Sequence, residues 1–593
     1  MQRPKRWTIA ETNPLAEELA ARLKISTLVS QILLNRGMIE IQDCQDFLKP
    51  SLKCLHDPAL LANLPAASQR IAKSIRDREK IVVYGDYDVD GITATSILWH
   101  AIRTLGGIVE YYIPHRLEEG YGLNAEAVAE ICDGGAKLIV TVDCGVTALG
   151  PAKVARDRGV DLIITDHHEW HEQAAPLTTA DDHEPLLPQC YAIVHPRLPG
   201  ANGQPYPNPS LCGAGVAFKL AWGIGTAMSG ANRVNEEFRA FLLEATGLAA
   251  LGTIADVVPL IGENRVLAAF GLSGLRQSRL TGIKALIESA SLAGQALDAY
   301  HVGFLLAPRI NASGRMGHAK LAVELLTEAS PERATEIATF LEQQNRERQG
   351  IEKGILQQAI EQATALGYDN EDCRAIVLGA EGWHAGVIGI VASRIVDRFH
   401  RPTIMIALNN GHGQGSGRSV AGFHLARALE ACSDHLDGYG GHEMAAGLKI
   451  DSTRFEGFRS AFCEYATRTL QPEQLVPELK VEAVAEIRQV SQALVTDLQR
   501  LGPFGHGNRR PVLCCRDVII AAPPRRVGKS GDHLQLFVRQ GMATMKCIAF
   551  NRGAWLDQLT PGTRVDLAVE PTLNEFNGRT SVEMEIKDLH LHG

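Results

Sequence analysis

Between Lys80 and Asp166 one pattern recurs: a short β-branched run, a turn rich in Gly and Asp, then an amphipathic stretch. The runs are Ile81-Val-Val-Tyr84, Lys137-Leu-Ile-Val-Thr-Val142 and Asp161-Leu-Ile-Ile-Thr165. Strands this apolar must be covered on both faces. Their alternation with helical stretches points to β-α-β units and a doubly wound parallel sheet, with helices after Gly91 and Val146.

A second α/β pattern begins near Glu371, with a strand at Arg374-Ala-Ile-Val-Leu-Gly379, a helix from Gly386 to Val396 and a strand at Thr403-Ile-Met-Ile-Ala-Leu408. Before it lies a long helical stretch from Pro331 to about Leu366, with Ser330 as N-cap, Pro331 at the first helical position and Gly367 just past the end. Unbroken, it would span about 54 Å, with Gly350 and Gly354 as places to bend. Past Gln471, short alternating strands such as His533-Leu-Gln-Leu-Phe-Val538 and Thr563-Arg-Val-Asp-Leu-Ala-Val569 suggest a small barrel of about five strands.

At 593 residues the chain is too long for one core. The expectation is two α/β lobes joined by a long helix, plus a C-terminal β-barrel. The boundaries are a helical segment at 1–70, a first lobe at 71–270, a connecting region at 271–370, a second lobe at 371–470 and the barrel at 471–593. No apolar run long enough to span a membrane is visible, and the basic start Met1-Gln-Arg-Pro-Lys-Arg has no apolar stretch behind it, so a cytoplasmic protein is expected. Twelve cysteines without a Cys-x-x-Cys pair read as reduced thiols rather than a zinc ribbon or a disulfide framework. A net charge of -9 disfavours a general polyanion binder but permits a local basic groove.

The chemistry gathers at the strand ends. Asp86, Asp88 and Asp90 alternate just after the first run, Asp143 follows the second, and Asp166, His167 and His168 follow the third. Open α/β sheets bind ligands at the carboxyl ends of their strands. If the chain stays extended through Asp86-Tyr-Asp-Val-Asp90, its three carboxylates share one face. Such a cluster repels itself unless a cation neutralises it. Mixed carboxylate and imidazole ligation suits Mn²⁺ or Mg²⁺, and two such ions form the clamp used in phosphodiester hydrolysis.

Asp86-Tyr-Asp-Val-Asp-Gly91, Val142-Asp-Cys-Gly145 and Asp166-His-His168 match, in order, motifs of the DHH phosphoesterase superfamily, and Leu251-Gly-Thr-Ile-Ala-Asp-Val-Val-Pro-Leu260 resembles its fourth. Gly440-Gly-His-Glu-Met-Ala-Ala-Gly447 resembles the glycine-rich motif of the DHHA1 domain. Arg309-Ile-Asn-Ala-Ser-Gly-Arg-Met-Gly317, Trp383-His-Ala-Gly-Val-Ile-Gly-Ile390 and Gly415-Ser-Gly-Arg-Ser419 are closer to the RecJ family of single-strand-specific exonucleases. The likeness runs from Lys80 to Leu448 with gaps, and it makes the barrel an OB-fold.

The resemblance implies Asp88, Asp90, Asp143, His167 and Asp256 as metal ligands, with Asp86 and His168 either ligands or supporting catalytic groups. In smaller DHH phosphatases a His precedes the first aspartates, whereas here Tyr84 and Asp86 occupy that stretch, so the division of ligands between two ions stays open. It also implies that Arg315, Ser416 and Arg418 hold a 5′ phosphate, with His442 nearby. Arg309 and Asn311 belong to the same substrate-binding stretch. Arg116 and Tyr121 have the chemistry to grip a phosphate and stack a base, and Asn345, Arg346 and Gln349 on the long helix could line the same path. Arg509, Arg510, Arg525, Arg526 and Lys529, near Phe504 and Phe537, suit a single-strand groove in the barrel.

The implied activity is removal of mononucleotides from single-stranded DNA in the 5′ to 3′ direction, in repair and recombination. The implied form is a monomer that contacts single-strand-binding protein. The alternatives are a DHH phosphodiesterase for small substrates, such as cyclic dinucleotides or oligoribonucleotides, and a non-catalytic nucleic-acid-binding scaffold.

Overall fold

The structure is a computed structural model that describes residues 5–115, 119, 122–170, 187–230, 233–370, 372–576 and 578–592. The chain forms two compact units. One comprises Ile39–Asn345 with Leu498–Arg510, the other Met1–Met38, Arg346–Asp497 and Pro511–Gly593.

The first unit is built on five parallel strands, β1 (Lys80–Gly85), β2 (Ile108–Tyr112), β3 (Leu138–Val142), β4 (Asp161–Thr165) and β5 (Ala192–Val194). Their order is β2-β1-β3-β4-β5. The three runs picked out by their apolar residues are the three central strands. The two edge strands escaped notice: β2 alternates exposed and buried residues, and β5 is only three residues long. Successive side chains divide between two cores. Val83, Val140, Val142 and Ile163 face the helices Val89–Thr104, Gly213–Ser229 and Glu236–Ala255. Tyr84, Ile139, Leu162 and Ile164 face Ala125–Asp133 and Leu149–Asp157. Glu236–Ala255 is long and apolar enough to cross a membrane by composition, but two-thirds of it is buried in this core.

A buried ionic knot holds Gly213–Ser229 in place. The Lys219 ammonium pairs with Glu263, both side chains being fully buried, and donates to the His56 carbonyl at 2.6 Å. Tyr206 donates its hydroxyl to Glu263 at 2.9 Å. Each charge in the pair thus has further partners, the condition under which a buried ion pair is tolerated.

The loop Leu498–Arg510, which carries Phe504, Arg509 and Arg510, packs within this unit. Arg265, stacked over Phe47 at 4.0 Å, donates to the carbonyls of Arg500 and Gly502, and Asn508 ties the loop through the carbonyls of Leu501 and Pro503.

The second unit holds a mixed five-stranded sheet, in the spatial order Gly438–Gly441, Ala445–Asp451, His412–Arg418, Thr403–Asn409, Ile376–Glu381, whose last two strands are parallel. It also holds a seven-stranded sheet built within 483–591, in which Leu513–Ile520 pairs with both Arg564–Phe576 and His533–Gln540, as in a barrel. Arg6–Ile9 pairs in parallel with Glu478–Val481. The long helix runs unbroken from Pro331 to Ala365, through Gly350 and Gly354, and carries the chain from the first unit to the second.

Candidate functional site

Strand order places the site. In a 2-1-3-4-5 sheet the chain reverses its winding direction between β1 and β3, and the crevice beyond their carboxyl ends receives the ligand. Asp86–Asp90 leave β1 at that crevice, Asp143 leaves β3, and Asp166–His168 leave β4.

The aspartates after β1 do not converge as an extended chain would bring them together. Asp88 is the N-cap of Val89–Thr104, its carboxylate accepting from the Asp90 and Gly91 amides at 2.9 and 3.1 Å, so Asp90 already lies in the first helical turn. Gly91 permits this fold-back, because a Cβ there would sit 2.6 Å from the Asp86 carbonyl. The loop is clamped from outside by the helix Ala307–Arg315: Asn311 accepts from the Val89 amide at 3.2 Å, and a Cβ on Gly314 would lie 2.5 Å from the Tyr87 carbonyl.

Three groups of side chains offer ligand atoms within 4.8 Å of one another: Asp86, Asp88 and Asp143; Asp90, His167 and Asp256; and Asp143, His167 and His168. The three aspartates of the first motif are therefore divided, and Asp143 and His167 each belong to two groups. His167 Nε2 is buried and makes no hydrogen bond among the described residues, yet Asp143 Oδ1 stands 3.0 Å away and Asp90 Oδ2 and Asp256 Oδ2 each 3.7 Å. A buried imidazole nitrogen facing three carboxylates fits a divalent cation.

The electrostatics agree. Burial, followed by the charges of Asp90, Asp88, Asp256 and Asp86, pushes the Asp143 carboxyl well above its ordinary range. Burial with the charges of Asp90 and Asp88 raises Asp256 to about 9. Burial holds the His167 imidazole neutral, at about 4. A neutral imidazole among carboxylates that resist ionising without a counter-charge is a metal-ready set.

Several supporting groups were not evident in the sequence. The amides of Gly213 and Ala214, at the start of Gly213–Ser229, donate to Asp90 at 2.6 and 2.9 Å, so a helix N-terminus steadies that buried carboxylate. Gly213 is required here, since a Cβ would lie 2.6 Å from Asp143 Cβ. Asp166 accepts from the amides of Val146, His167 and His168 and meets His168 Nδ1 at 2.8 Å. Burial would raise Asp166, but its bond to His168 and that ring's charge hold it at about 2. Burial would lower His168, but the same bond lifts it to about 9. His195, the residue after β5, meets the His168 carbonyl with Nε2 at 2.9 Å and accepts the Arg197 amide on Nδ1. Its position at a fourth strand end was the available signal.

Among the substrate candidates, Arg309 is buried and engaged with Glu342 at 2.7 Å, Arg315 is half-buried at the end of its helix, and Asn345 is buried. In the second unit Arg346 and Gln349 are exposed. Arg418 donates to Ser416 Oγ at 3.2 Å, and the pair packs on Gly389, where a Cβ would lie 2.8 Å from Ser416 Oγ. Ala445 pairs with Arg418 across the sheet and accepts from the His442 amide at 2.8 Å, so His442, Arg418 and Ser416 lie at one sheet end. Arg116 and Tyr121 lie outside the described residues.

Family models match at residues 80–253 (DHH family, N-terminal domain), 372–468 (DHHA1 domain) and 481–588 (RecJ OB domain). The single-stranded-DNA-specific exonuclease RecJ of Bacillus subtilis (strain 168) is 37% identical over 587 residues, 98% of this chain and 70% of that protein. RecJ from Thermus thermophilus in complex with Mn²⁺ superposes with a TM-score of 0.81 at 32% identity, covering 99% of this chain and 79% of that one. The corresponding Mg²⁺ complex gives 0.75 at 31% identity, covering 98% and 78%. With these relatives matched over nearly its whole length, the chain belongs to the RecJ family of single-stranded-DNA-specific exonucleases.

Proposed function

We propose that the chain removes mononucleotides from the 5′ end of single-stranded DNA with two divalent ions, Mn²⁺ or Mg²⁺, held at the β1/β3 crevice. The observation that carries this is the division of the ligands into two separate groups, Asp86, Asp88 and Asp143 and Asp90, His167 and Asp256, which meet where Asp143 Oδ1 stands 3.0 Å from His167 Nε2. Asp86, Asp88 and Asp143 would hold one ion and Asp90, His167 and Asp256 the other. When bound, such a pair activates water at neutral pH and neutralises charge on the attacking and leaving oxygens.

The chain's own residues do the rest. Asp166 fixes the His168 ring through Nδ1 and raises its basicity, and a cationic imidazole beside the ligands would stabilise phosphate charge. In the second unit Ser416, Arg418 and His442 supply a hydroxyl, guanidinium and imidazole set suited to a terminal phosphate, and Arg315 in the first unit offers a guanidinium of the same use, which is chemistry for action from the 5′ end. Polar contacts of this kind recognise an end rather than a base sequence. The small-substrate reading is disfavoured by the barrel and the long helix, which short substrates do not need, and the scaffold reading by the complete ligand set.

The finer assignments are action as a monomer, contact with single-strand-binding protein, and work in the cytoplasm. Supporting the last, all twelve cysteines, each among the described residues, are thiols.

The test incubates 5′-blocked strands, 3′-blocked strands and duplex with Mn²⁺ or Mg²⁺. The 3′-blocked single strand should be degraded and the 5′-blocked strand spared, while excess EDTA or Asp143→Ala abolishes hydrolysis. Preferred attack on duplex, or full activity of Asp143→Ala, would defeat the proposal.

A further inference from the structure

Beside the metal crevice, the first unit exposes rings that its fold does not need. Tyr300 and Phe304 are 58% and 62% exposed, yet their rings stack on each other with centroids 4.9 Å apart and planes at 27°. They stand one turn apart on and beside the π-helical turn His301–Leu306, a local geometry that recurs at functional sites. Val257, immediately after Asp256, is 63% exposed and takes φ 60, a region that β-branched residues rarely enter. Backbone strain held beside a ligand residue is an indicator of function.

These residues ring one small core. Leu260, Ala268 and Ala299 pack together with Ile254, and so tie the end of Glu236–Ala255, where Asp256 lies, to the base of the π-turn. The loop Leu498–Arg510 closes on the same core: the Leu260 amide donates to the His506 carbonyl at 2.8 Å. Arg510 lies 4.9 Å over the Phe504 ring and reaches Asp298 at 3.3 Å, two residues before Tyr300. Aromatic faces and the Arg510 guanidinium thus share one surface next to Asp256. This combination is the sequence-tolerant chemistry of single-strand binding, in which bases stack on rings and arginines add cation–π and phosphate attraction.

Its distance from the reaction follows from the helix. The π-turn continues into Ala307–Arg315, whose Asn311 holds the Val89 amide of the metal loop. Phe304 and Tyr300 precede Asn311 by seven and eleven residues, about 10 and 16 Å of helix. That is roughly three to five nucleotides at the 3.4 Å spacing of a stacked strand.

We infer that Tyr300 and Phe304, with the Arg510-capped Phe504 beside them, form a stacking platform that grips unpaired bases of the DNA strand on the 3′ side of the scissile bond. Stacking on the platform holds the remaining strand while its 5′ nucleotide is removed, and it asks for unstacked bases, which duplex does not offer. The inference rests on the proposed single-strand activity and adds a binding subsite to it.

The test is an abasic scan. Single-stranded 20-mers with a 5′ phosphate, each with one abasic site at successive positions, are compared by kcat/KM for release of the first nucleotide in Mn²⁺, using wild type and Tyr300→Ala/Phe304→Ala. The double variant should lose roughly 5- to 100-fold on the intact strand, mostly in KM. Wild type should lose activity when the abasic site lies about three to five positions from the 5′ end, and the variant should show no further loss there. Tyr300→Phe/Phe304→Trp, which keeps two ring faces, should restore both the rate and the scan. A flat wild-type scan, or an identical scan in the double variant, overturns the platform while leaving the exonuclease reading intact. If wild type releases no nucleotide from any single strand, the substrate assignment falls as well.

Discussion

Gly213→Ala tests how tightly the crevice is built. The added methyl keeps the Gly213 amide that donates to Asp90 but places a carbon 2.6, 2.7 and 2.8 Å from Cβ, Oδ1 and Cγ of Asp143. Ordinary contact begins near 3.4 Å, so the carboxylate or the helix must yield by about 0.8 Å. A misplacement of about 1 Å in a reacting constellation costs about 100-fold, so kcat/KM should fall roughly 10- to 100-fold, or about 1.4 to 2.7 kcal/mol of transition-state stabilisation. The assay is nucleotide release from a labelled single strand as Mn²⁺ is varied, and the Mn²⁺ concentration for half-maximal rate should rise. Overpacking also costs about 1–3 kcal/mol of stability. Gly223→Ala on the same helix controls for this, since its methyl would press on Ser68 and Leu64 instead. Gly213→Ala with the wild-type rate and Mn²⁺ dependence would refute the reasoning, as would an equal loss in Gly223→Ala.

Removing a buried carboxyl that resists ionising should help the metal-free protein. Asp143→Asn is expected to melt higher than wild type in EDTA, by a few degrees at roughly 2–4 °C per kcal/mol, while losing the stabilisation that wild type gains from Mn²⁺ in the same calorimetric scan. Asp166→Asn should lower hydrolysis roughly 10- to 100-fold and weaken Mn²⁺ binding measured by titration, because His168 loses its orienting carboxylate. Lys219→Met leaves Glu263 buried without its counter-charge and should cost about 3–5 kcal/mol in denaturant unfolding.

The central sheet was legible because Ile81–Tyr84, Lys137–Val142 and Asp161–Thr165 are buried on both faces, and burial leaves its mark on composition. The long helix was legible from its caps, Ser330, Pro331 and Gly367. Edge strands leave weaker marks: Ile108–Tyr112 is half wet, and Ala192–Val194 is too short for its period to show. The ligand residues were visible as strand-end acids and imidazoles. Their grouping was not, because it depends on Asp88 capping a helix and carrying Asp90 out of the extended chain. Gly213 supports Asp90 across 123 residues and Asn311 holds Val89 across 222, and no local pattern announces contacts of that range. That Arg265, across 235 residues, and Leu260 hold the loop Leu498–Arg510 was equally silent.

The most direct measurement is anomalous diffraction at the manganese edge from crystals grown with Mn²⁺. Two peaks about 3.5–4 Å apart are expected, one among Asp86, Asp88 and Asp143 and the other among Asp90, His167 and Asp256. A single peak, or peaks outside these two groups, would contradict the two-ion centre.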